Sequence, residues 1–195
     1  MKAKFTKRCV AYLIDIMIVT MLSSLMTVFL PMNNVEKISN ELTSLVSSYE
    51  EKEIVEAEYV EKYEHLNYVL SKEMVTITLI NIGIYIIYFV VIPVYNKKQT
   101  FGKRVMKIKI KNIEDKNITA NDLMFRSLII YGILFNIVSV ILILFFNEQT
   151  FIILNKYISY LYDIMLVIIL LLSIIRIDGR GLHDFVGKTI VVEEE

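Results

Sequence analysis

An arginine and an aspartate near the start of the chain are the residues best placed to do chemistry. Asp15 lies inside the apolar run of residues 9–30, seven residues after Arg8. A spacing of seven is two helical turns, so both side chains fall on one helix face. An aspartate at the centre of a membrane helix costs about 2.5–3.5 kcal/mol on insertion scales, so it needs a compensating partner. The Asp15 carboxylate is therefore either a proton- or cation-binding group or half of a packing pair with Arg8.

Other polar residues lie in the later apolar runs. Asn81 and Tyr88 share a helical stripe in the second run, Asn136 lies in the third, and Asp163 lies in the fourth. The stripe favours hydrogen bonds between helices over transport chemistry. Counting the helical rise places Asp15 and Asn136 about 10–14 Å from the inner face of the membrane. The same count places Asn81 and Asp163 about 9–11 Å from the outer face, too far for a carboxylate pair with Asp15.

Four apolar runs are long enough to cross a membrane as helices. They cover residues 9–30, 74–95, 127–146 and 157–175. An α-helix needs about 20 residues to cross a hydrocarbon core about 30 Å thick. Hydrophobic residues make up 55% of the chain, and the mean hydropathy is +0.55. The predicted fold class is an all-α membrane protein with four transmembrane helices.

The charged residues are sorted between the segments that connect these runs. Residues 31–73 hold ten glutamates and four lysines, whereas residues 96–126 hold nine basic residues and three acids. Because lysine and arginine mark the cytoplasmic side, both termini and residues 96–126 are predicted to be cytoplasmic, and residues 31–73 extracytoplasmic. Apolar residues recur at intervals of three and four in this outer insertion. That repeat predicts amphipathic helix, with a break near residues 47–50.

Two of the cytoplasmic segments have the pattern of β-strands. Apolar residues and lysines alternate over residues 105–111, and a β-prone run occupies residues 189–192 of the 176–195 tail. Since both segments lie on one side of the membrane, we expect them to pair as a small β element. Thr119 and Asp122 have the spacing of a capping box, which predicts a helix start.

The remaining polar residues do not assemble a catalytic or metal-binding motif. Gly102 and Lys103 lack the upstream glycine and the following serine or threonine of a phosphate-binding loop. His183 has one other histidine to join it, and Cys9 is the single cysteine, so no metal set can be formed. Asp184 is expected to cap a turn or to accept from an arginine. We expect no cofactor, no metal, no nucleic-acid partner and no enzymatic activity.

Several motifs in order along the chain resemble those of the RDD family of bacterial membrane proteins. They are Arg8 at the start of the first span, Asp15 inside it, a Thr-x-Gly-Lys segment around Gly102, and a closing segment that includes Asp184. The resemblance covers nearly all of the chain except residues 31–73. The family is named for one arginine and two aspartates, which correspond to Arg8, Asp15 and Asp184. The resemblance implies a bacterial cytoplasmic-membrane protein, with transport suggested and cation/proton exchange attributed to some members.

Three function classes stay open, of which an enzyme is the weakest, because no nucleophile, base and orienting group can be assembled at one depth. In a transporter of a small ion or solute, Asp15 would be the titratable or cation-binding group, with Asn136 and Tyr88 lending oxygens. In a structural or accessory protein, Arg8 and Asp15 would be a packing pair, and the chain would bind a partner. Four helices in the lipid bilayer leave little room for a substrate path, so transport predicts a homo-oligomer. Water access to Asp15 would favour transport, and dry packing would favour the structural role.

Overall fold

Three long apolar helices dominate the computed structural model, which describes residues 1–113 and 117–194. They are α1 (Phe5–Thr27), a composite helix (Val75–Tyr95) and α9 (Glu148–Ile175). The composite helix consists of α4 (Val75–Ile86), a π-helical segment (Ile87–Val91) and α5 (Ile92–Tyr95). Each of the three helices is long enough to cross a hydrocarbon core. Three of the four predicted spans are therefore confirmed as apolar helices of sufficient length.

The ends of two of these helices differ from the prediction. Helix α1 begins four residues earlier and ends three residues earlier than the predicted range 9–30. Helix α9 begins nine residues before the predicted range 157–175, so most of the predicted loop 147–156 is helical. The side chain of Asn147 caps α9 by accepting a hydrogen bond from the Thr150 amide at 3.0 Å. This N-cap hydrogen bond starts α9 inside the segment that was predicted to be a loop because of its polarity.

The third predicted span, residues 127–146, is wrong as a single straight helix. The chain instead forms α7 (Ala120–Ile130) and α8 (Ile133–Phe145), whose axes differ by 71°. Gly132 at the bend has a φ of +65°, a backbone conformation that glycine adopts without steric cost. Hydropathy does not register such a change of direction. The described residues contain three candidate spans, or four if the bent pair counts as one.

A helical hairpin follows α1. It consists of α2 (Asn33–Glu50) and α3 (Glu56–Glu73), joined by residues 51–55. The prediction of two helices is confirmed, with a break a few residues later than expected. Tyr59 of α3 stacks on Tyr49 of α2 with ring centroids 4.3 Å apart, which stabilises the hairpin. The extracytoplasmic position of this hairpin stays a prediction.

A small sheet and two short helices form a cap near both chain ends. Strand β1 (Ile108–Asn112) pairs antiparallel with β2 (Thr189–Glu193), as predicted, with Ile110 opposite Val191. The first strand starts three residues later than expected because α6 (Phe101–Val105) ends just before it. Ala3 donates its backbone N–H to Val191 O at 3.1 Å, so the N-terminal residues extend the sheet. Helix α10 (Leu182–Val186) completes the cap, which we define as α6, β1, α10 and β2.

The cap packs on the membrane helices through α6, α10 and the sheet, whose Ile108 and Val191 pack with Ala11 of α1. Helix α6 lies against α1, where a Cβ on Gly102 would lie 2.8 Å from Asp15 Oδ1 and even closer to Ala11 O. Helix α10 lies against α7. Helix α7 begins with the predicted capping box, since Thr119 Oγ1 accepts from the Asp122 amide at 3.3 Å and Asp122 Oδ2 accepts from the Thr119 amide at 3.0 Å. The close approach at Gly102 therefore positions the start of α6 beside Asp15, and the capped start of α7 positions Arg126.

We predict that Gly132→Ala lowers the free energy of unfolding by about 1–3 kcal/mol, because alanine is strained at a positive φ. Its Cβ would also lie 2.7 Å from the Tyr162 hydroxyl oxygen. Gly83→Ala is the matched control, since a Cβ at this position inside α4 would meet open space and alanine favours a helix. Denaturant unfolding in detergent micelles measures both variants. Equal stabilities would contradict the described bend.

Candidate functional site

Asp15 is fully buried, and both of its carboxylate oxygens accept hydrogen bonds. Oδ1 accepts from the Tyr88 hydroxyl at 2.8 Å and from the Gly102 backbone N–H at 2.7 Å. Oδ2 accepts from the Thr100 hydroxyl at 2.5 Å. Hydrogen bonds to an ionised acceptor are stronger than those between neutral groups, so they offset the cost of burying the charge. Asp15 thus joins α1, the composite helix and the start of α6.

Lys103 is the cation that faces Asp15. Its Nζ lies 3.6 Å from Asp15 Oδ2 and donates to Thr100 Oγ1 at 3.2 Å. The pKa of Lys103 falls to about 8, chiefly because burial disfavours the charged ammonium group. The negative charge of Asp15 opposes this lowering of the pKa, and the positive charge of Arg126 adds to it. Lys103 therefore titrates near physiological pH while it contacts a buried carboxylate.

The predicted pairing of Arg8 with Asp15 is replaced by another ion pair. Among the described residues, Arg8 contacts Asp184 of the cap, with Nη2 3.0 Å from Asp184 Oδ2. Arg8 Nη1 also donates to the Gly179 carbonyl. Residues seven apart lie about 10 Å apart along a helix axis, so a shared face does not bring Arg8 and Asp15 into contact.

Asp184 is the centre of a second buried polar cluster. It has no exposed surface, and its Oδ1 accepts from Arg126 Nη1 and, at 3.2 Å, from the Thr189 hydroxyl. Arg126 Nη1 also donates to Thr189 Oγ1 at 3.0 Å. The backbone N–H of Gly181 donates to Asp184 Oδ2 at 3.3 Å, which caps α10. Both expected roles of Asp184, in capping a turn and in accepting from arginine, are confirmed.

His183 lies beside this cluster without hydrogen bonds of its own. The residue is 2% exposed, and neither ring nitrogen has a hydrogen-bond partner among the described residues. Nε2 lies 3.3 Å from Asp184 Oδ2 but outside hydrogen-bonding geometry. Burial lowers the pKa of His183 well below its usual range, and the charges of Arg126, Arg8 and Lys103 lower it further. The imidazole is therefore neutral at physiological pH.

A cavity of about 370 Å³ borders both clusters. Its charged lining residues are Arg8, Lys103 and Arg126, and no acidic side chain of the described residues lines it. His183 and Ser173 add polar groups to its lining, and residues of α1 and α9 form apolar walls. We call it the basic cavity. Its composition suits an anion better than a cation, because each charged group that reaches it is positive.

The sequence model of the RDD family matches residues 2–188 of the chain. The chain belongs to the RDD family. This is a family of bacterial membrane proteins, so the resemblance of the sequence motifs is confirmed. Comparison with curated proteins and with solved structures gave no match.

The predicted site residues of this RDD protein divide into two groups. Those that meet in the two clusters are Arg8, Asp15, Tyr88, Gly102 and Asp184. No hydrogen bond or ion pair among the described residues joins Asn81, Asn136 or Asp163 to them. Asp163 is exposed on α9, and Asn81 Oδ1 is buried without a hydrogen-bond partner in the described part of the chain. Asn136 lies on α8 beyond the 71° bend, so a depth counted along a straight span does not apply to it.

Four residues of the two clusters were missing from the predicted site. They are Thr100, Lys103, Arg126 and Thr189. Thr100 and Lys103 belong to the Thr-x-Gly-Lys segment that carried the family resemblance, so their motif was a usable signal. Arg126 lies at the edge of an apolar run, and this position is a weaker signal for a functional role. Thr189 belongs to the closing Gly-x-Thr segment that also carried the family resemblance, but its contact with Arg126 was not predicted, because that contact depends on how the sheet packs against α7.

We predict that Asp184→Asn lowers the free energy of unfolding by about 3–5 kcal/mol, because it leaves the buried Arg126 and the partly buried Arg8 without their counter-charge. Asp178→Asn is the matched control, since the Asp178 side chain is 29% exposed and its ion pairs with two neighbouring arginines are partly open to solvent. Ion pairs that water screens contribute less to stability than buried ones, so this variant should lose much less stability than Asp184→Asn. Coincident unfolding curves for the two variants would contradict a stabilising role of Asp184.

Proposed function

We propose that this RDD protein is a non-enzymatic transport protein of the bacterial cytoplasmic membrane that takes up a small ion or solute at the basic cavity. The observation that carries the proposal is a cavity between α1 and α9 that ends on two buried cations, Lys103 and Arg126, and the partly buried Arg8. Its volume of about 370 Å³ lies within the usual range for small-molecule sites, which combine apolar walls with a few convergent polar groups. The basic residues of the cap favour a cytoplasmic position for it.

Lys103 supports a link between transport and protonation. It lines the basic cavity and lies 3.6 Å from Asp15 Oδ2. Below its pKa of about 8, the ammonium group neutralises Asp15; above that pH, Lys103 is neutral and Asp15 lacks a counter-charge. A cation could then take the place of the lost proton once the packing around Asp15, which has no exposed surface, opens to admit it. Cation/proton exchange is the most concrete form of the proposal, and its rate should rise as the pH passes upward through about 8.

The packing of Asp15 favours a structural or accessory role as the second candidate. Asp15 has no exposed surface, both of its oxygens are bonded, and it does not line the basic cavity. This is the dry packing expected of a structural group. In this role, the two clusters hold the cap on the membrane helices, and an exposed surface of the protein binds a partner.

Cation-driven proton movement into vesicles that contain the purified protein separates the two candidates. We predict that the wild type moves protons and that Asp15→Asn loses most of this activity, because an amide cannot hold the charge that pairs with Lys103. Glu61→Gln in α3 is the control, since this exposed acid lies far along the chain from both clusters. No proton movement in the wild type, together with a less stable Asp15→Asn, would refute exchange and favour the accessory role.

We also propose that the protein forms a homo-oligomer. Asp163 is exposed on α9, about 22 Å from the start of that helix, among exposed apolar residues. A carboxylate at this depth is unfavourable in contact with lipid, and a second copy could cover it.

We predict that Asp163→Leu shifts the protein toward the monomer in detergent, as light scattering would measure. Ile164→Leu, a change at a neighbouring exposed position, should leave the oligomer unchanged. A monomeric wild type, or an oligomer that Asp163→Leu does not weaken, would contradict this arrangement.

A further inference from the structure

The apolar walls of the basic cavity open toward lipid. Leu13 of α1 and Leu170 of α9 both line the cavity and are 60% and 54% exposed. Both residues belong to helices long enough to cross the hydrocarbon core, so their exposed surfaces face acyl chains. A molecule held in the bilayer can therefore enter the cavity sideways between α1 and α9.

The buried and partly buried groups at the charged end of the cavity carry one positive charge in excess. The ionised residues of the two clusters are Arg8, Lys103, Arg126, Asp15 and Asp184. Three cations thus face two carboxylates, and His183 stays neutral. An uncompensated charge is unfavourable in a site of low dielectric constant. An anion in the cavity would complete the charge balance.

His183 provides an independent indication of a missing ligand. It lines the cavity, is 2% exposed, and has no hydrogen bond at either ring nitrogen within the described residues. A neutral imidazole carries one N–H donor, and buried donors are normally paired. Both ring nitrogens are themselves buried, so an anionic oxygen in the cavity would accept this hydrogen bond after the ring turns toward it.

We propose that the basic cavity binds an anionic phospholipid, with its phosphate against the three cations and His183 and an acyl chain along α1 and α9. Arginine guanidinium groups bind phosphate oxygens through paired N–H donors, and basic pockets between membrane helices bind acidic head groups. The apolar walls favour a lipid over free phosphate, which would leave them in contact with water. The inference rests on the proposed function in its broader form, uptake of a ligand at the basic cavity, and it names an anion rather than a cation as that ligand.

Lipid titration of the full-length protein in dodecyl maltoside tests this assignment, with native mass spectrometry as the readout. Dioleoyl phosphatidylglycerol should bind saturably, and dioleoyl phosphatidylcholine at least about tenfold more weakly. Leu170→Trp, which fills the mouth of the cavity, should weaken phosphatidylglycerol binding by a factor of about ten or more. Val167→Trp is the matched control, because Val167 is 55% exposed on the same helix but does not line the cavity.

Three results would overturn the lipid assignment. They are equal binding of the two lipids, equal effects of Leu170→Trp and Val167→Trp, and displacement of phosphatidylglycerol by inorganic phosphate with an affinity that Leu170→Trp does not change. The last result would make a soluble anion the ligand. Selective lipid binding without proton or solute movement in vesicles would support the lipid site while refuting transport. Transport without lipid selectivity would refute the lipid site alone.

Discussion

Burial of two carboxylates determines how the cap sits on the membrane helices. Asp15 projects from α1 and accepts from the composite helix and from the start of α6, whereas Asp184 projects from the cap and accepts from Arg8 of α1 and Arg126 of α7. Each cluster therefore crosses from the cap to the membrane helices. Breaking a buried ion pair by removing one partner costs about 3–5 kcal/mol. Moving the cap away from the membrane helices would break these contacts and is therefore unfavourable.

The same constraint sets the chemistry of the basic cavity. The two buried carboxylates are bonded within their clusters and do not line the cavity. The charged side chains that do line it are Arg8, Lys103 and Arg126. This leaves a positively charged site bordered by apolar helix surface. Cation exchange at such a site would require Lys103 to lose its proton, whereas an anion could bind without any change in protonation. Cation exchange and lipid binding therefore make opposite demands on the charge of Lys103.

Much of the architecture could be predicted from periodicity and composition. The apolar runs, the α2 and α3 hairpin and the pairing of β1 with β2 follow from repeats within each segment, and Tyr88 was expected near Asp15. The bend at Gly132 was not predictable, because hydropathy carries no information about backbone direction. The partner of Arg8 was also missed, since helical spacing shows which face a residue occupies but not which distant segment packs there. Arg126 and Thr189 meet only through tertiary packing.

Hydrogen exchange of the β1 and β2 amides, compared between wild type and Asp15→Asn, tests most directly whether the buried carboxylates hold the cap in place. Local opening determines exchange rates, so a cap that is loosened from the membrane helices exchanges faster. The account predicts faster exchange in β1 and β2 of Asp15→Asn, with α2 and α3 unchanged. Equal protection of the cap in both proteins would contradict it.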